Sequence, residues 1–361
     1  MRPLPLPLAA ATLLLILLVA GCGDSQKTDA SKTPPGTPAP APLKLVIYTS
    51  HGKEHYGPCL ARFRKAHPEI DLPEPIDLGA TDLALRIRGE AKNPQCDVWW
   101  GGPHYDFIDA EKRGLLQPYK PSWAAHSAPD NHSPKDAWYG TYLTPEVIMF
   151  NTKKLTRATA PQDWDDLLKP EWKNKIVLRD PPPSGTMKAI FAAMIVKAGG
   201  KTGVDDPAPG YDWLKQLDAN TAHYASNPAE MYQYLIAGDT PVTVWNMADV
   251  YIQAAAHQSP FDCVVPASGA PVLVEGIAIP QGAPHLEAAK RFYEFITSTD
   301  ELLFQANELH RIPARDDLPK DQLPVWMTAN EFKPMPLDWA AIAPKADAWM
   351  DYWNHHIRTA K

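Results

Sequence analysis

The tripeptide Ser184-Gly185-Thr186 follows three prolines, Pro181 to Pro183, and opens an apolar stretch with helical spacing. A helix starting there presents the unbonded backbone N–H groups of its first turn, and two hydroxyls beside them can converge on an oxygen anion. Lys188 falls in or near that turn, where a positive charge opposes the helix dipole unless an anion offsets it. Ser184 fits equally well as a plain N-cap whose hydroxyl is occupied by its own helix.

A second group of polar residues closes apolar runs further upstream. Thr49, Ser50 and His51 end the run Leu45–Tyr48, and Gly101 and Gly102 end Asp97-Val98-Trp99-Trp100. Parallel sheets present their ligand sites where loops leave the carboxyl ends of strands, so these hydroxyls, the His51 ring and the two glycine amides form a candidate opposing wall. Alternation along the strand sends Trp99 and Trp100 to opposite faces, and Trp100 is the candidate for the site. Asn246 and Asp249 follow Val242–Trp245, while Glu275 lies within Val274–Ile279 and suits an ammonium or a hydroxyl. Ordinary turn and strand-end hydrogen bonding accounts for these three just as well.

The elements that must position these groups alternate. Leu45–Tyr48 reads as a strand, followed by a helix with Tyr56, Leu60 and Phe63 on one face; a helix near Thr81 precedes the strand 97–100, which stops at a glycine turn. The next helix, from Tyr105, carries Lys112 and Arg113 in its last turn and Gly114 beyond it, as a helix C-terminus demands. Ile70–Leu78 is broken by Pro73 and Pro75. A second series begins at Ile176-Val177-Leu178 and continues through the helix ended by Gly199-Gly200. Asn227-Pro228-Ala229-Glu230 has an N-cap, a proline at the first helical position and a carboxylate at the third. Strands follow at Val242–Trp245, Val264-Val265 and Val274–Ile279, then a helix with Ala289, Phe292 and Phe295, and a closing helix marked by Trp339, Ile342, Trp349 and Trp353. Such alternation implies mostly parallel sheets covered on both faces, and two of them place the ligand site in a cleft. A body of more than three hundred residues exceeds what one core usually supports, so two lobes are expected.

The N-terminal residues form a separate segment. Arg2 precedes an apolar stretch from Leu6 to Ala20, which reads as a secretory signal too short to span a membrane comfortably. Val19-Ala20-Gly21-Cys22 has the small residues before a cysteine that a lipoprotein signal peptidase accepts, which makes Cys22 the expected lipid-bearing residue and the membrane a partner. Gly23–Pro42 is Ser-, Thr-, Lys-, Ala- and Pro-rich and reads as a tether. A formal net charge of -7 argues against a nucleic-acid partner. Cys59, Cys96 and Cys263 are too scattered for a metal cluster or disulfide scaffold and read as small buried apolar residues, with one bridge left open. No H-E-x-x-H, G-x-S-x-G or Walker loop occurs, so binding without catalysis, metal or cofactor is expected; a lipid-anchored extracytoplasmic hydrolase is the alternative class.

Several strings together resemble the bacterial extracellular solute-binding proteins of the ferric iron, phosphonate and spermidine/putrescine importer type. They are Val46-Ile47-Tyr48-Thr49-Ser50, Asp97-Val98-Trp99-Trp100-Gly101-Gly102, Phe150-Asn151-Thr152-Lys153-Lys154-Leu155, Ala160–Leu168, Pro170-Glu171-Trp172-Lys173, Asp180-Pro181 with Ser184-Gly185-Thr186, Glu275–Ile279 and Ala288–Phe292. Each is weak alone; their order along the chain is specific. The resemblance implies an α/β, two-lobed periplasmic binding protein-like (type II) clamshell with two hinge crossings, near Tyr142–Phe150 and Val274–Ile279. Tyr142 joins the candidate ligand-binding residues on that basis. The segments expected are 1–21 signal peptide, 22–43 lipidated cysteine and tether, 44–143 with 277–361 as the first lobe, and 144–276 as the second.

The resemblance further implies a monomer that captures a small solute for an ABC permease. Ferric-binding members use a neighbouring tyrosine pair near the stretch that here reads Trp245–Tyr251, and that pair is missing; His51 lies one place before the expected histidine position, which Gly52 occupies. The expected solute is therefore oxyanion-bearing (a phosphonate, phosphate ester or carboxylate), with ferric iron or a polyamine as the alternatives within the family.

Overall fold

In the computed structural model, residues 43–200 and 203–358 are described. The signal segment, Cys22 and the tether up to residue 42 lie outside the described residues. A single sheet path runs in the order Ile76–Asp77, Ile47–Thr49, Val98–Pro103, Val272–Pro280, Tyr139–Asn151, Val242–Asn246, Ile176–Arg179, Thr221–Ala225. Three parallel strands at one end and three at the other flank a central antiparallel pair. The expectation of two sheets is corrected here. Tyr139–Asn151, thirteen residues long, and Val272–Pro280 each pair on both sides, so the two halves share one continuous ladder.

Helices cover this sheet and divide the apolar interior. On one side, Leu60 and Phe63 of helix Lys53–Ala66 pack with Ile47, Trp100 and the Phe292 and Tyr293 face of helix Leu286–Ile296. Trp99 stacks on Phe107 across the other face of its strand, ring centroids 4.1 Å apart. On the far side, helix Gly185–Gly199 is buried from Met187 to Ile195 with only Lys188 breaking the apolar run, which is the signature of a helix packed on all sides. It is enclosed by strands 147–149 and 176–178, by helix Ala208–Asn220 and by the closing helix Trp339–His356.

The closing helix is where the packing departs from the expected segments, which grouped 277–361 with the first lobe. Trp339, Ile342, Trp349 and Trp353 belong to the same core as Phe191 and Val244, and the Trp353 ring meets Phe191 edge-on at 5.3 Å. Its apolar face needs a large buried partner, and the buried stretch Ala189–Ile195 of helix Gly185–Gly199 supplies one. Cys59, Cys96 and Cys263 are free and buried, as small apolar residues are.

Strand Val98–Pro103 also differs from expectation, because it does not turn at the glycines but runs through them. Gly101 and Gly102 hold φ values of 101° and 112°, a region that side chains rarely enter. At Gly101 the reason is contact: a Cβ there would lie 2.6 Å from the His51 ring. At Gly102 the nearest atom would be 3.6 Å away. Gly102→Ala therefore costs only the backbone strain, about 1–3 kcal/mol, whereas Gly101→Ala adds a clash with a buried ring. Urea unfolding should show the larger loss for Gly101→Ala; equal losses would mean that the His51 ring does not hold this strand.

Candidate functional site

A cavity of about 580 Å³ opens over the middle of the two crossing strands, within the range typical of small-molecule sites. Its floor comes from those strands, through Tyr142, Thr144, Leu273 and Glu275, which the register places as two facing pairs, Tyr142 with Glu275 and Thr144 with Leu273. Its walls come from loops leaving the parallel strands on either side. Ser50 and His51 follow Ile47–Thr49, Gly102 and Pro103 end Val98–Pro103, and Pro182, Pro183, Gly185 and Thr186 follow Ile176–Arg179. The carboxyl ends of strands thus do present the site, as the alternation requires.

Helix starts dominate these walls. The first turns of Ala80–Gly89, His104–Lys112 and Gly185–Gly199 all line the cavity. The first two have no side-chain cap, so their leading N–H groups remain available. Ser184 does act as a cap: its Oγ accepts from the Met187 N–H at 3.2 Å, and it does not line the cavity. Gly185, Thr186 and Lys188 do, and the Lys188 ammonium is bonded to Asp347 at 2.5 Å.

The opposing wall is partly as expected. Ser50 and His51 line the cavity, while the fully buried Thr49 turns its Oγ1 back to accept from the His51 N–H at 3.1 Å. The His51 ring sits within an aromatic nest of His55, Trp100 and Tyr142, and its Nδ1 lies 3.2 Å from the Tyr142 hydroxyl. Burial, reinforced by Arg311, pushes His51 well below the usual histidine range, so it enters the site as a neutral hydrogen-bonding ring. Trp100 supports that ring from behind and does not reach the cavity; it is fully buried. Gly102 lines the wall, but its N–H is already donated to Glu275 Oε2 at 2.8 Å, while Gly101 does not line the cavity.

Asn246 and Asp249 are brought together with each other rather than with the cavity. The Asn246 side chain caps helix Met247–Ala256 by accepting from the Asp249 N–H at 2.9 Å. One Asp249 oxygen accepts from Tyr232, Trp245 and Asn246. Their short polar side chains meet local donors before they can reach the cleft, so the turn-bonding reading is the one realised.

Three lining carboxylates include two that were missed in the sequence, Asp82 and Asp106, each at the third position of its helix beside Glu275 of the crossing strand. Their position in a first turn is a visible signal but one shared with countless structural aspartates. Burial, and then Glu275, push Asp106 up to about 7. Burial likewise raises Glu275, against the pull of the Gly102 N–H and of Arg311. Glu146, two residues beyond Thr144 on the same strand but not lining the cavity, is fully buried with neither oxygen bonded among the described residues, and burial raises it well above the usual range. The one group of side chains among the described residues spaced to hold a metal ion, His126 with Asp316 and Asp317, is exposed and lines no part of this cavity.

Comparison with known proteins bears on the fold and the family. The chain is 27% identical over 318 residues to a probable ABC transporter periplasmic-binding protein of Sinorhizobium fredii, covering 87% of this chain and 86% of that one. Its fold matches the ferric binding protein of Campylobacter jejuni with a TM-score of 0.73, at 19% identity and over 86% of this chain and 98% of that one. It also matches the periplasmic binding protein AfuA of Actinobacillus pleuropneumoniae, solved with fructose-6-phosphate bound, with a TM-score of 0.69 at 22% identity over 88% and 99% of the two chains. These are two-lobed periplasmic binding proteins, and the clamshell expected from the sequence is the fold observed. A family model described as bacterial extracellular solute-binding protein matches residues 106–334. The chain belongs to the bacterial extracellular solute-binding proteins.

Proposed function

We propose that this protein captures a small oxyanion-bearing solute in the cavity over its crossing strands and hands it to an ABC permease. The observation that carries the reading is the convergence of three helix starts on one cavity, two of them without side-chain caps. Free N–H groups at helix starts are ready-made anion ligands, and hydrogen bonds to a charged group contribute about 1.5–3 kcal/mol each. The neutral His51 ring, Ser50 and Thr186 add hydroxyl and ring donors from both sides. AfuA, matched in fold, was solved with a sugar phosphate. Ferric iron is the less favoured solute, since Trp245–Tyr251 carries no neighbouring tyrosine pair and its Tyr251 contacts Cys263 and Arg157, while the two tyrosines that line the cavity, Tyr105 and Tyr142, come from separate elements.

The proposal includes how the molecule closes. One lobe would be built on 44–143 with the segment following 277, and the other on 144–276 joined by the closing helix. A solute held at helix Gly185–Gly199 and at the Ser50–His51 loop touches both, which favours the closed arrangement because only that arrangement makes both sets of contacts. Delivery at the membrane would follow from export by the N-terminal segment and lipid attachment at Cys22, a reading supported by Val19-Ala20-Gly21-Cys22. Labelled palmitate should enter the protein in cells and be lost in Cys22→Ser; undiminished labelling of that variant would overturn the anchor.

Isothermal titration against phosphonates, phosphate esters and carboxylates, with putrescine and ferric citrate as counter-ligands, tests the solute class. Binding is expected among the oxyanions, and the Thr186→Ala, Lys188→Ala double variant should weaken it by about tenfold or more with an unchanged circular dichroism spectrum. Binding confined to putrescine or ferric citrate, or a double variant as tight as the parent, would sink the reading.

A further inference from the structure

The helix starts facing the cavity are not electrically alike. Helix Gly185–Gly199 has no acidic residue in its first turn and carries Thr186 and Lys188 there. Helix Ala80–Gly89 brings Asp82, and helix His104–Lys112 brings Asp106. Together with Glu275 of the crossing strand, these acids give one wall a carboxylate surface. Among the described residues, Lys188 is the only lysine or arginine lining the cavity, and it is held by Asp347.

Resting on the oxyanion reading, we propose that the solute is zwitterionic, its oxyanion seated at the first turn of helix Gly185–Gly199 and its ammonium held between Asp106 and Glu275. A solute carrying only negative charge would meet these carboxylates, and one carrying only positive charge would meet the positive end of helix Gly185–Gly199. A molecule with one charge of each sign satisfies both ends of the cavity at once.

Two unmatched groups support the cationic end independently of the charge count. Among the described residues, the Asp106 carboxylate has no hydrogen bond or ion pair, although it is partly buried. Among the described residues, neither oxygen of the fully buried Glu146 has a partner, although Glu146 does not itself line the cavity. Side chains two apart on a strand share a face, so Glu146 follows Tyr142 and Thr144, which line the floor, on the same side of strand Tyr139–Asn151. Buried polar groups are nearly always paired, so the unpaired Asp106 carboxylate, which lines the cavity with Glu275, offers a bond to a cationic group of the solute.

Burial first, and then Glu275, Asp109 and Asp347, hold the proton on Asp106, and Lys188 opposes them. Glu275 is faced by Arg311, whose guanidinium lies over the Tyr142 ring at 5.2 Å. With its carboxyl pushed up to about 7, Asp106 keeps a share of its proton at neutral pH in the empty site. An arriving ammonium favours the carboxylate, so binding below pH 7 releases that proton.

Titration of the full chain with matched probes tests this. O-phosphoethanolamine is compared with ethyl phosphate and ethylamine, and 4-aminobutyrate with butyrate. At least one amino-bearing anion should bind about tenfold more tightly than its counterpart lacking the amine. Asp106→Asn and, separately, Glu275→Gln should reduce that ratio to within about twofold. Proton release, read from heats in buffers of different ionisation enthalpy, should fall in Asp106→Asn relative to the parent. If ethyl phosphate or butyrate binds as tightly as its amino counterpart, the inference fails and the oxyanion reading stands. If ethylamine alone binds, both fail; if none of the five binds, the zwitterion inference fails.

Discussion

Everything about the cleft depends on one antiparallel pairing, between Tyr139–Asn151 and Val272–Pro280. Because these two strands pair with each other and each also pairs with the strand on its other side, the parallel strands of both halves are fixed in register to a shared centre. The pairing is locally irregular. Its register shifts beside Glu275, and the freed groups are taken up by side chains: the Val274 N–H reaches His104 Nδ1 at 3.3 Å, and the Glu275 carbonyl accepts from Thr141 Oγ1 at 3.0 Å. That irregularity lies at the floor of the cavity, where it aims the Glu275 carboxylate at the Gly102 N–H. A bulge at a sheet crossing commonly re-aims a side chain in this way.

Around that floor, the site is assembled from backbone more than from specialised side chains. Helix starts provide N–H groups, and side chains such as Thr49, Ser184, Asn246 and Asp249 act largely by holding the loops and helices that present them. The His51–His55–Trp100–Tyr142 nest stiffens one wall without charge, since burial keeps both histidines well below the usual range. Charge enters through Asp82, Asp106 and Lys188 on the walls and Glu275 on the floor. Solute binding is the function of the family to which this chain belongs.

Much of the fold was legible along the chain because its signals are local. The cap at Asn227 with Pro228 behind it and the glycine after Arg113 each act over a few residues and each produced the expected helix boundary to within a residue or two, and the amphipathic spacing of Phe292 and Phe295 produced the expected helix. The strands at 45–48, 97–100, 176–178 and 242–245 were legible for the same reason. Ser184 illustrates the limit. Its type and position fit both an anion ligand and a cap, and only the 3.2 Å bond to Met187 N decides between them.

The sequence by itself determined the alternation of strands and helices, the two-lobed class, and the loops from which a ligand site must be built, because hydrophobic period and helix-end chemistry are properties of neighbouring residues. Tertiary structure alone decided that the two halves share one sheet, that the closing helix joins the core of helix Gly185–Gly199, and that Asp106 and Glu275 face one cavity. Those outcomes bring together residues more than a hundred positions apart. Nothing in the local pattern around Asp106 distinguishes a carboxylate that faces a ligand from one that faces water, since the difference lies entirely in what packs across from it.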